Sequence, residues 1–149
     1  MKKSLFATLF AILLMSVLVI GCKPAAKQPV SERIAKVWTA RTVDENNTTV
    51  FTRGGTNNVR PAYSNFRLDL SSPTAVNLRE FDNSSFSGQW EVQGENKLIL
   101  KNLNPQPTGT NGTIEFTINT ISDNELKLTR TTASQKTGGT MNVYTLSNP

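Results

Sequence analysis

Hydrophobic and polar residues alternate with a period of two along most of the chain. The clearest run begins at Phe66, where Phe66, Leu68 and Leu70 share one face and Arg67 and Asp69 lie between them. A period of two is typical of a β-strand that buries one of its faces. The pattern therefore predicts a domain made of strands.

Two β-hairpins are predicted downstream. The segment Gln89–Lys101 alternates on both sides of a turn at Gly94-Glu95-Asn96, and Ile114–Leu128 does so around Ser122-Asp123-Asn124. Short alternating runs joined by Gly and Asn residues are typical of antiparallel hairpins. Four further strands are predicted, at Val37–Val43, Thr49–Arg53, Ala75–Phe81 and Met141–Leu146.

One short helix is predicted before the first strand, at Ser31–Lys36. Ser31 is a good N-cap residue, and Glu32 suits the positive end of a helix. The strands that follow each have one apolar face, so the sheet must close on itself or pack against a second sheet. We expect an all-β fold, namely a single antiparallel up-and-down β-barrel of about eight strands with a short N-terminal helix.

The first residues are typical of an export signal. Lys2 and Lys3 precede an uncharged apolar run, Leu5–Ile20, which ends at Gly21-Cys22. A membrane-spanning helix needs about 20 apolar residues, and this run is shorter. The ending of two apolar residues, a small residue and Cys resembles the lipobox of bacterial lipoproteins. That resemblance implies cleavage before Cys22 and acylation of its thiol; an ordinary secretory signal or membrane anchor with an incidental Cys is the alternative.

This interpretation divides the chain into three parts. Residues 1–21 are expected to be a lipoprotein signal peptide, and residues 22–30 a lipidated Cys22 with a Pro- and Ala-containing tether. Residues 31–149 are expected to form the barrel domain. Several acyl chains, at about 0.8 kcal/mol per buried methylene, hold a protein on a bilayer without a spanning helix. We therefore expect a location in the cell envelope, at the outer membrane and facing the periplasm or the surface.

Composition removes several classes of function. The chain has no His and one Cys, which excludes His-dependent nucleophilic catalysis, an intrachain disulfide and a cluster of thiolate ligands. Its net charge is +5, and Lys2 and Lys3 carry two of these charges. The remaining cations are scattered, whereas nucleic-acid binding needs them clustered. We expect no enzymatic activity, cofactor, metal or nucleic-acid partner.

The acidic residues offer little for catalysis. Glu80 and Asp82 are spaced so that a strand would place them on one face, as a pair of glycosidase carboxylates requires, but Asp82 begins a turn-like sequence. Asp44-Glu45-Asn46-Asn47 and Asp123-Asn124-Glu125 lack the spacing and the central Gly of a calcium loop. Both are interpreted as hairpin turns.

The order of motifs resembles that of the small lipocalin-like domains of lipid-anchored proteins in Gram-negative bacteria. The shared motifs are a Trp-bearing first strand, an aromatic-Gly-x-Trp hairpin, a strand-turn-strand rich in Ile and Leu, and a Tyr-x-Leu ending. They stand here at Trp38-Thr39-Ala40, Phe86–Trp90, Ile118–Leu128 and Tyr144-Thr145-Leu146. The resemblance implies a lipocalin-like barrel that carries a small hydrophobic ligand.

Two functions follow from a barrel of this kind. The first is binding of a small apolar molecule inside the barrel. The second is a solid barrel that acts as an interaction module for another protein of the envelope. An eight-stranded barrel can hold one ligand or be filled by its own side chains, so both remain open. The candidate lining residues are Phe66, Leu68, Trp90, Val92 and Phe116.

Charged residues are not expected on the inner face of the strands that carry the candidate lining. None stands at a position that alternation turns inward along the strands of the candidate lining, so we expect no anchor for a charged head group. Two long polar loops are the other candidate sites. Arg53 and Arg60 flank the Gly- and Asn-rich loop Arg53–Pro61 and could meet an anion, and Asn102–Gly112 is long enough to form a lid.

Overall fold

The computed structural model describes residues 27–149, so the predicted signal peptide and the predicted acylation of Cys22 lie outside the described residues. The described chain is mostly strand. Its helices and strands are α1 (Val30–Ile34), β1 (Val37–Glu45), β2 (Thr48–Thr52), a first 3-10 helix (Pro61–Asn65), β3 (Arg67–Asp69), β4 (Ala75–Arg79), β5 (Ser85–Gln93), β6 (Lys97–Asn104), β7 (Ile114–Ile121), β8 (Glu125–Arg130), a second 3-10 helix (Gln135–Thr137) and β9 (Asn142–Ser147).

The strands form one closed antiparallel barrel. Each strand from β3 to β9 pairs with the next one, and β9 pairs with β1 to close the sheet. The other edge of β1 pairs with β2 at Thr42–Glu45 and with β3 at Val37–Thr39. Because β2 and β3 follow one another along that edge, nine strands fill the positions of an eight-stranded barrel. The predicted fold class is confirmed.

The segment between β2 and β3 covers the free edge of β2. Thr52 donates its backbone N–H to the side-chain oxygen of Asn58 over 2.7 Å, and Asn58 Nδ2 donates to the Thr52 carbonyl oxygen over 3.0 Å. The Arg60 amide donates to the Val50 carbonyl oxygen over 3.0 Å. An exposed strand edge can pair with the strands of other chains. Here the hydrogen bonds with Asn58 and Arg60 occupy backbone groups at the edge of β2.

The helix begins one residue earlier than predicted. Pro29, and not Ser31, is the N-cap residue, and no side chain caps the helix. The amides of Glu32 and Arg33 both donate to the Pro29 carbonyl oxygen, over 3.1 and 3.2 Å. The expectation that Ser31 caps the helix is therefore wrong, because the backbone of Pro29 already starts the helical bonding.

The helix closes one end of the barrel. Arg33 Nη2 donates to the Ile121 carbonyl oxygen over 2.9 Å, which ties the helix to the end of β7. Ile34 and Trp38 are both 0% exposed, and Trp38 Nε1 donates to the Ile34 carbonyl oxygen over 2.9 Å. We call this the helix end.

The middle of the barrel is filled by its own side chains. Residues of every strand contribute to a single buried cluster, and its members run from Ile34 to Leu146. The fragment 27–149 thus contains a complete core and a closed sheet, so we expect it to fold on its own. Within it, no helix has the length and apolar character that would let it span a membrane. The largest fully buried side chains are Trp38, Tyr63, Ile34, Leu68, Leu70, Leu98, Leu100, Leu103, Ile114, Leu126, Leu128 and Leu146.

Candidate functional site: the polar end of the barrel

Buried polar side chains lie at only one end of the barrel in the described part of the chain. This is the end opposite α1, where β1, β4 and β8 finish and β9 begins; we call it the polar end. Folded proteins rarely bury charges and amides without pairing them, so such a concentration needs an explanation. The buried polar residues are Glu45, Glu80, Arg130, Ser134, Thr137 and Asn142.

Three of these residues form a row across adjacent strands. Glu45 of β1 lies opposite Asn142 of β9. The pairing of Thr129 with Val143 places Arg130 of β8 beside Asn142 on the other side. Glu45, Asn142 and Arg130 are 7%, 0% and 4% exposed, so all three side chains point into the barrel.

A β-bulge turns Glu45 inward. Trp38 and Ala40 are buried in the first half of β1, but in the second half the buried positions are Val43 and Glu45. The register with β9 shifts between Ala40 and Thr42, so one extra residue, Arg41, changes which face the alternation buries. The turn itself consists of Asn46 and Asn47, with φ angles of 47° and 65°. The interpretation of Asp44 and Glu45 as turn residues is therefore wrong.

Glu45 is paired on both carboxylate oxygens. Arg60 Nε lies 2.9 Å from the carboxylate, and the Tyr63 hydroxyl donates to it over 2.8 Å. Burial, with the nearby Tyr144 and Glu45, raises the pKa of Tyr63 well above its ordinary value. Tyr63 therefore stays protonated and remains a hydrogen-bond donor to Glu45. Arg60, which was expected to be available to an anion, is instead committed to this carboxylate.

Asn142 joins the two tyrosines to the loop that precedes β9. Its Nδ2 donates to the Tyr63 oxygen over 3.3 Å and to the Tyr144 oxygen over 3.1 Å. Its Oδ1 accepts hydrogen bonds from Thr140 over 2.7 Å and from Thr137 over 3.3 Å. Every polar atom of the Asn142 side chain is therefore used, and the amide fixes both phenol groups in place.

Lys136 brings Glu80 and Asp82 together. Its ammonium nitrogen lies 2.7 Å from Glu80 Oε2, as an ion pair that is not aligned for a hydrogen bond, and 2.9 Å from Asp82 Oδ2. It also lies 4.9 Å from the ring centre of Phe86. Burial tends to raise the pKa of Asp82, but hydrogen bonds from Lys136 and Ser84 outweigh it and lower the pKa. The two carboxylates thus form a salt-bridged cluster with one lysine.

Arg130 differs from the other buried charges because no carboxylate of the described residues lies within 4.0 Å of it. Its Nε donates to the Thr132 carbonyl oxygen over 3.3 Å. Tyr144 lies beside it; burial raises the pKa of Tyr144, while Asn142 and the positive charge of Arg130 oppose the rise. Phe66 stacks on Tyr144 with ring centres 4.9 Å apart. The Arg130 cation and the protonated Tyr144 hydroxyl therefore lie side by side among aromatic rings.

The candidate lining residues are distributed between the two ends. Phe66 and Phe116 are 4% and 3% exposed and both contact Tyr144 at the polar end. Leu68 is 0% exposed and pairs with Trp38 and Leu78 of the neighbouring strands. These three side chains help to fill the barrel.

Trp90 and Val92 lie towards the helix end. Trp90 is 4% exposed, and its Nε1 donates to the Ser72 carbonyl oxygen over 2.8 Å. Val92 is partly exposed, and both residues line a half-open groove of about 340 Å³ that also includes Ser31 and Pro73. The groove lies outside the barrel. This groove and four other pockets of residues 27–149 each lie along one side of the barrel wall, and none of them joins opposite walls.

The expectation that Arg53 could meet an anion is corrected. Arg53 Nε donates to the Ala40 carbonyl oxygen over 3.0 Å, and its Nη1 donates to Ser147 Oγ over 3.0 Å, so this side chain ties the barrel wall together. No charged residue faces inward along β3, β5 or β7, which carry the candidate lining, but Glu45 of β1 and Arg130 of β8 do. The bulge at Arg41 hides the first of these from simple alternation. The second was missed because β8 continues two residues beyond the predicted end at Leu128.

The same alternation that identified the strands would have found Arg130 and Asn142. Leu126, Leu128 and Arg130 occupy successive buried positions of β8, and Asn142 precedes Tyr144 and Leu146 in the same way in β9. No group of three or more acidic or thiol side chains in the described residues is placed to hold a metal ion.

Comparison with known proteins finds similarity in fold. No protein-family model matches the sequence, and a comparison with curated proteins gives no match. A lipocalin-like protein from Bacteroides uniformis superposes with a TM-score of 0.51 at 13% identity, covering 78% of this chain and 99% of that one. An uncharacterized protein from Bacteroides eggerthii gives a TM-score of 0.46 at 10% identity, covering 76% and 98%. The first comparison shows that this chain has a lipocalin-like barrel fold.

Proposed function

We propose that this protein is a lipid-anchored, non-enzymatic binding protein of the bacterial cell envelope that binds a small molecule at the polar end of its barrel. The observation that carries the proposal is the confinement of the described buried polar residues to that end. Binding sites combine an apolar lining with a few polar groups that fix the orientation of the ligand. The aromatic wall around Tyr144, with Asn142 and Arg130, has this character.

The polar end is also the end that a tethered barrel would turn away from the membrane. The described chain enters the barrel through α1 at the helix end. A lipid on Cys22, followed by a tether of about eight residues, would span at most about 28 Å and would keep the helix end near the bilayer. The polar end would then face the aqueous compartment, where small molecules are met.

The anchor is tested by replacing the proposed acylated residue. Cys22→Ser should release the protein from membranes, because the acyl chains supply the proposed attachment. The measurement is the fraction of protein that sediments with membranes after a high-salt wash. The matched control is Ser16→Ala, which leaves the thiol in place and should sediment like the original chain. Continued sedimentation of Cys22→Ser would contradict lipid attachment at this residue.

The proposed ligand position differs from the apolar interior that the sequence favours. The centre of the barrel is occupied by fully buried side chains such as Leu98, Leu100 and Leu128. A ligand in the centre would have to displace them, which costs packing energy throughout a close-packed core. The side chains of the polar end are buried as well, so a ligand must part them, but there it meets polar groups and aromatic rings that can replace the contacts it breaks.

Small-molecule binding is tested with Nile red, a neutral fluorescent probe, and the fragment 27–149. The proposal expects a saturable rise in emission with one site per chain. Asn142→Ala should weaken binding, because this amide fixes Tyr63 and Tyr144. The control Glu91→Gln changes an exposed residue of β5, towards the helix end, and should leave the affinity unchanged. Emission that rises without saturation, or equally in both variants, would contradict the proposal.

A second function, docking of another envelope protein, is supported by a different observation. Val59 and Met141 are the exposed large hydrophobic residues of the described chain, at 73% and 38%. They are next in sequence to Arg60 and Asn142, so both lie near the polar end. A barrel filled by its own side chains makes a rigid platform for such a contact. Failure of Nile red to bind the unaltered fragment would favour this second function.

A further inference from the structure

The polar end contains one buried cation that the surrounding residues do not neutralise. Arg130 is 4% exposed, whereas the other buried charges of the described chain have partners: Glu45 pairs with Arg60, and Glu80 with Lys136. Removing a charge from water is costly unless a counter-charge or hydrogen bonds replace the lost hydration. The position of Arg130 is therefore an unfavourable one for the isolated chain.

The nearby acidic residues do not account for Arg130. Glu80 and Asp82 both contact Lys136, and neither comes within 4.0 Å of the Arg130 guanidinium. The Arg130 Nε is turned towards the Thr132 carbonyl oxygen. The guanidinium also contacts the Tyr144 oxygen. A guanidinium has five N–H donors in a planar fork, so these two contacts leave further N–H donors for another acceptor.

The neighbouring phenol is a second donor. The Tyr144 oxygen accepts a hydrogen bond from Asn142 Nδ2 over 3.1 Å. The Tyr144 hydroxyl donates no hydrogen bond to the described residues at ordinary geometry, and burial keeps its proton in place by raising its pKa. Because Asn142 is also held by Thr137 and Thr140, the orientation of the phenol is fixed.

We propose that Arg130 and the Tyr144 hydroxyl together bind the carboxylate of a small apolar acid at the polar end. The proposal rests on the proposed function and specifies its ligand class. A guanidinium fork binds the two oxygens of a carboxylate side by side, and a phenol adds a third donor. Phe66, stacked on Tyr144, and Phe116, edge-on to it at 6.1 Å, supply an apolar surface for the rest of the ligand.

The test compares benzoate with benzamide, which has the same ring but no charge, by isothermal titration of the fragment 27–149. Benzoate should bind with one site per chain, and benzamide should not bind measurably. Arg130→Gln should weaken benzoate binding by about 10-fold or more, since a hydrogen bond to a charged group is lost. Tyr144→Phe should weaken it by about 3- to 10-fold. The control Arg41→Gln alters an exposed arginine paired with Glu125 and should bind benzoate normally.

Several results would overturn the proposal. Equal affinities of benzoate and benzamide, or of Arg130→Gln and the unaltered fragment, would remove the role of the charge. Displacement of benzoate by the same concentration of inorganic phosphate would show a general anion site and contradict the assignment to an apolar acid. If Arg130→Gln does not fold, the proposal is tested by the comparison of benzoate with benzamide and by the benzoate affinity of Tyr144→Phe.

The Nile red titration separates this proposal from the broader one. If Nile red binds at the polar end and benzoate does not bind, the carboxylate site is wrong and the proposed small-molecule function stands. If neither probe binds, both are wrong. If benzoate binds and Arg130→Gln weakens it, the carboxylate site is supported regardless of how Nile red behaves.

Discussion

The two ends of the barrel are closed by opposite chemistry. At the helix end, Ile34 and Trp38 are both 0% exposed, and the indole N–H bonds the Ile34 carbonyl oxygen. At the polar end, Glu45, Asn142 and Arg130 occupy corresponding inward positions. The comparison shows that one barrel can be given two different ends by the last inward residue of each strand.

The difference has energetic consequences. Burial of apolar area contributes about 25 cal/mol per Å² at the helix end, without any need for specific partners. At the polar end each buried group has lost its hydration and depends on a particular partner. The net gain in stability from such a pair is small, whereas loss of one partner is costly. We therefore expect the helix end to contribute more to stability than the polar end, where recognition is proposed.

The aromatic residues provide a separate optical probe for each end. The chain contains two Trp and two Tyr residues. Trp38 and Trp90 lie towards the helix end, where they bond the Ile34 and Ser72 carbonyl oxygens. Tyr63 and Tyr144 lie at the polar end, where Asn142 joins them. Trp emission and tyrosinate absorbance can therefore follow the two ends separately.

The largest effect is expected from Trp38→Ala at the helix end. Truncating a fully buried Trp should lower the free energy of unfolding by about 3–5 kcal/mol, because it leaves a cavity and removes the indole hydrogen bond to the Ile34 carbonyl oxygen. The measurement is chemical denaturation followed by circular dichroism. Lys36→Gln is the control, since the Lys36 ammonium lies 5.9 Å from the centre of the same indole ring but donates to the exposed Asp123 carbonyl oxygen. An unchanged midpoint for Trp38→Ala would show that the helix end does not stabilise the barrel.

A smaller loss is expected from Glu45→Gln at the polar end. This change keeps the shape of the side chain but removes the charge that Arg60 and Tyr63 contact. We expect the free energy of unfolding to fall by about 1.5–3 kcal/mol. Glu125→Gln, whose partner Arg41 is exposed, should cost about 1 kcal/mol at most. Equal losses in the two variants would remove the distinction between the buried pair and a surface pair.

Alkaline pH should act on the polar end. Burial raises the pKa of both Tyr63 and Tyr144 above their usual value of 10.0, so the folded protein keeps protons that the unfolded chain releases. This contribution to stability is fully present below pH 10 and is lost as the pH rises above it. Tyrosinate absorbance should therefore appear only together with the change in Trp emission that marks unfolding. Tyrosinate formation near pH 10 in the folded protein would contradict the burial of these phenols.

The smallest effect is expected at acid pH. Desolvation tends to raise the pKa of Asp82, but hydrogen bonds from Lys136 and Ser84 outweigh it and lower the pKa from 3.8. The folded state thus holds this carboxylate ionised, and the resulting stability, present above pH 3.8, is lost as the pH falls through the lowered pKa. Asp82→Asn should show a smaller loss of stability between pH 5 and pH 3 than the unaltered fragment. Identical acid profiles would show that the contacts with Lys136 and Ser84 do not stabilise the Asp82 carboxylate.

The sequence predicts the fold well and the polar end poorly, for physical reasons. Period-two alternation shows which face each strand buries, and it is sufficient for residues such as Leu68, Trp90 and Phe116. It fails at Glu45, because the bulge at Arg41 depends on pairing with a strand about a hundred residues away. The continuity of β2 and β3 also arises only when both pair with β1.

The measurement that tests the account most directly is a nuclear magnetic resonance titration of the ¹⁵N-labelled fragment 27–149 with benzoate. The account predicts that saturable shifts appear at the Arg130 Nε–H and at the amides of Asn142 and Tyr144. The indole N–H signals of Trp38 and Trp90 should stay unchanged, because both lie towards the other end. Shifts confined to the two indoles, or no saturable shift at the polar end, would contradict the claim that this end recognises the ligand.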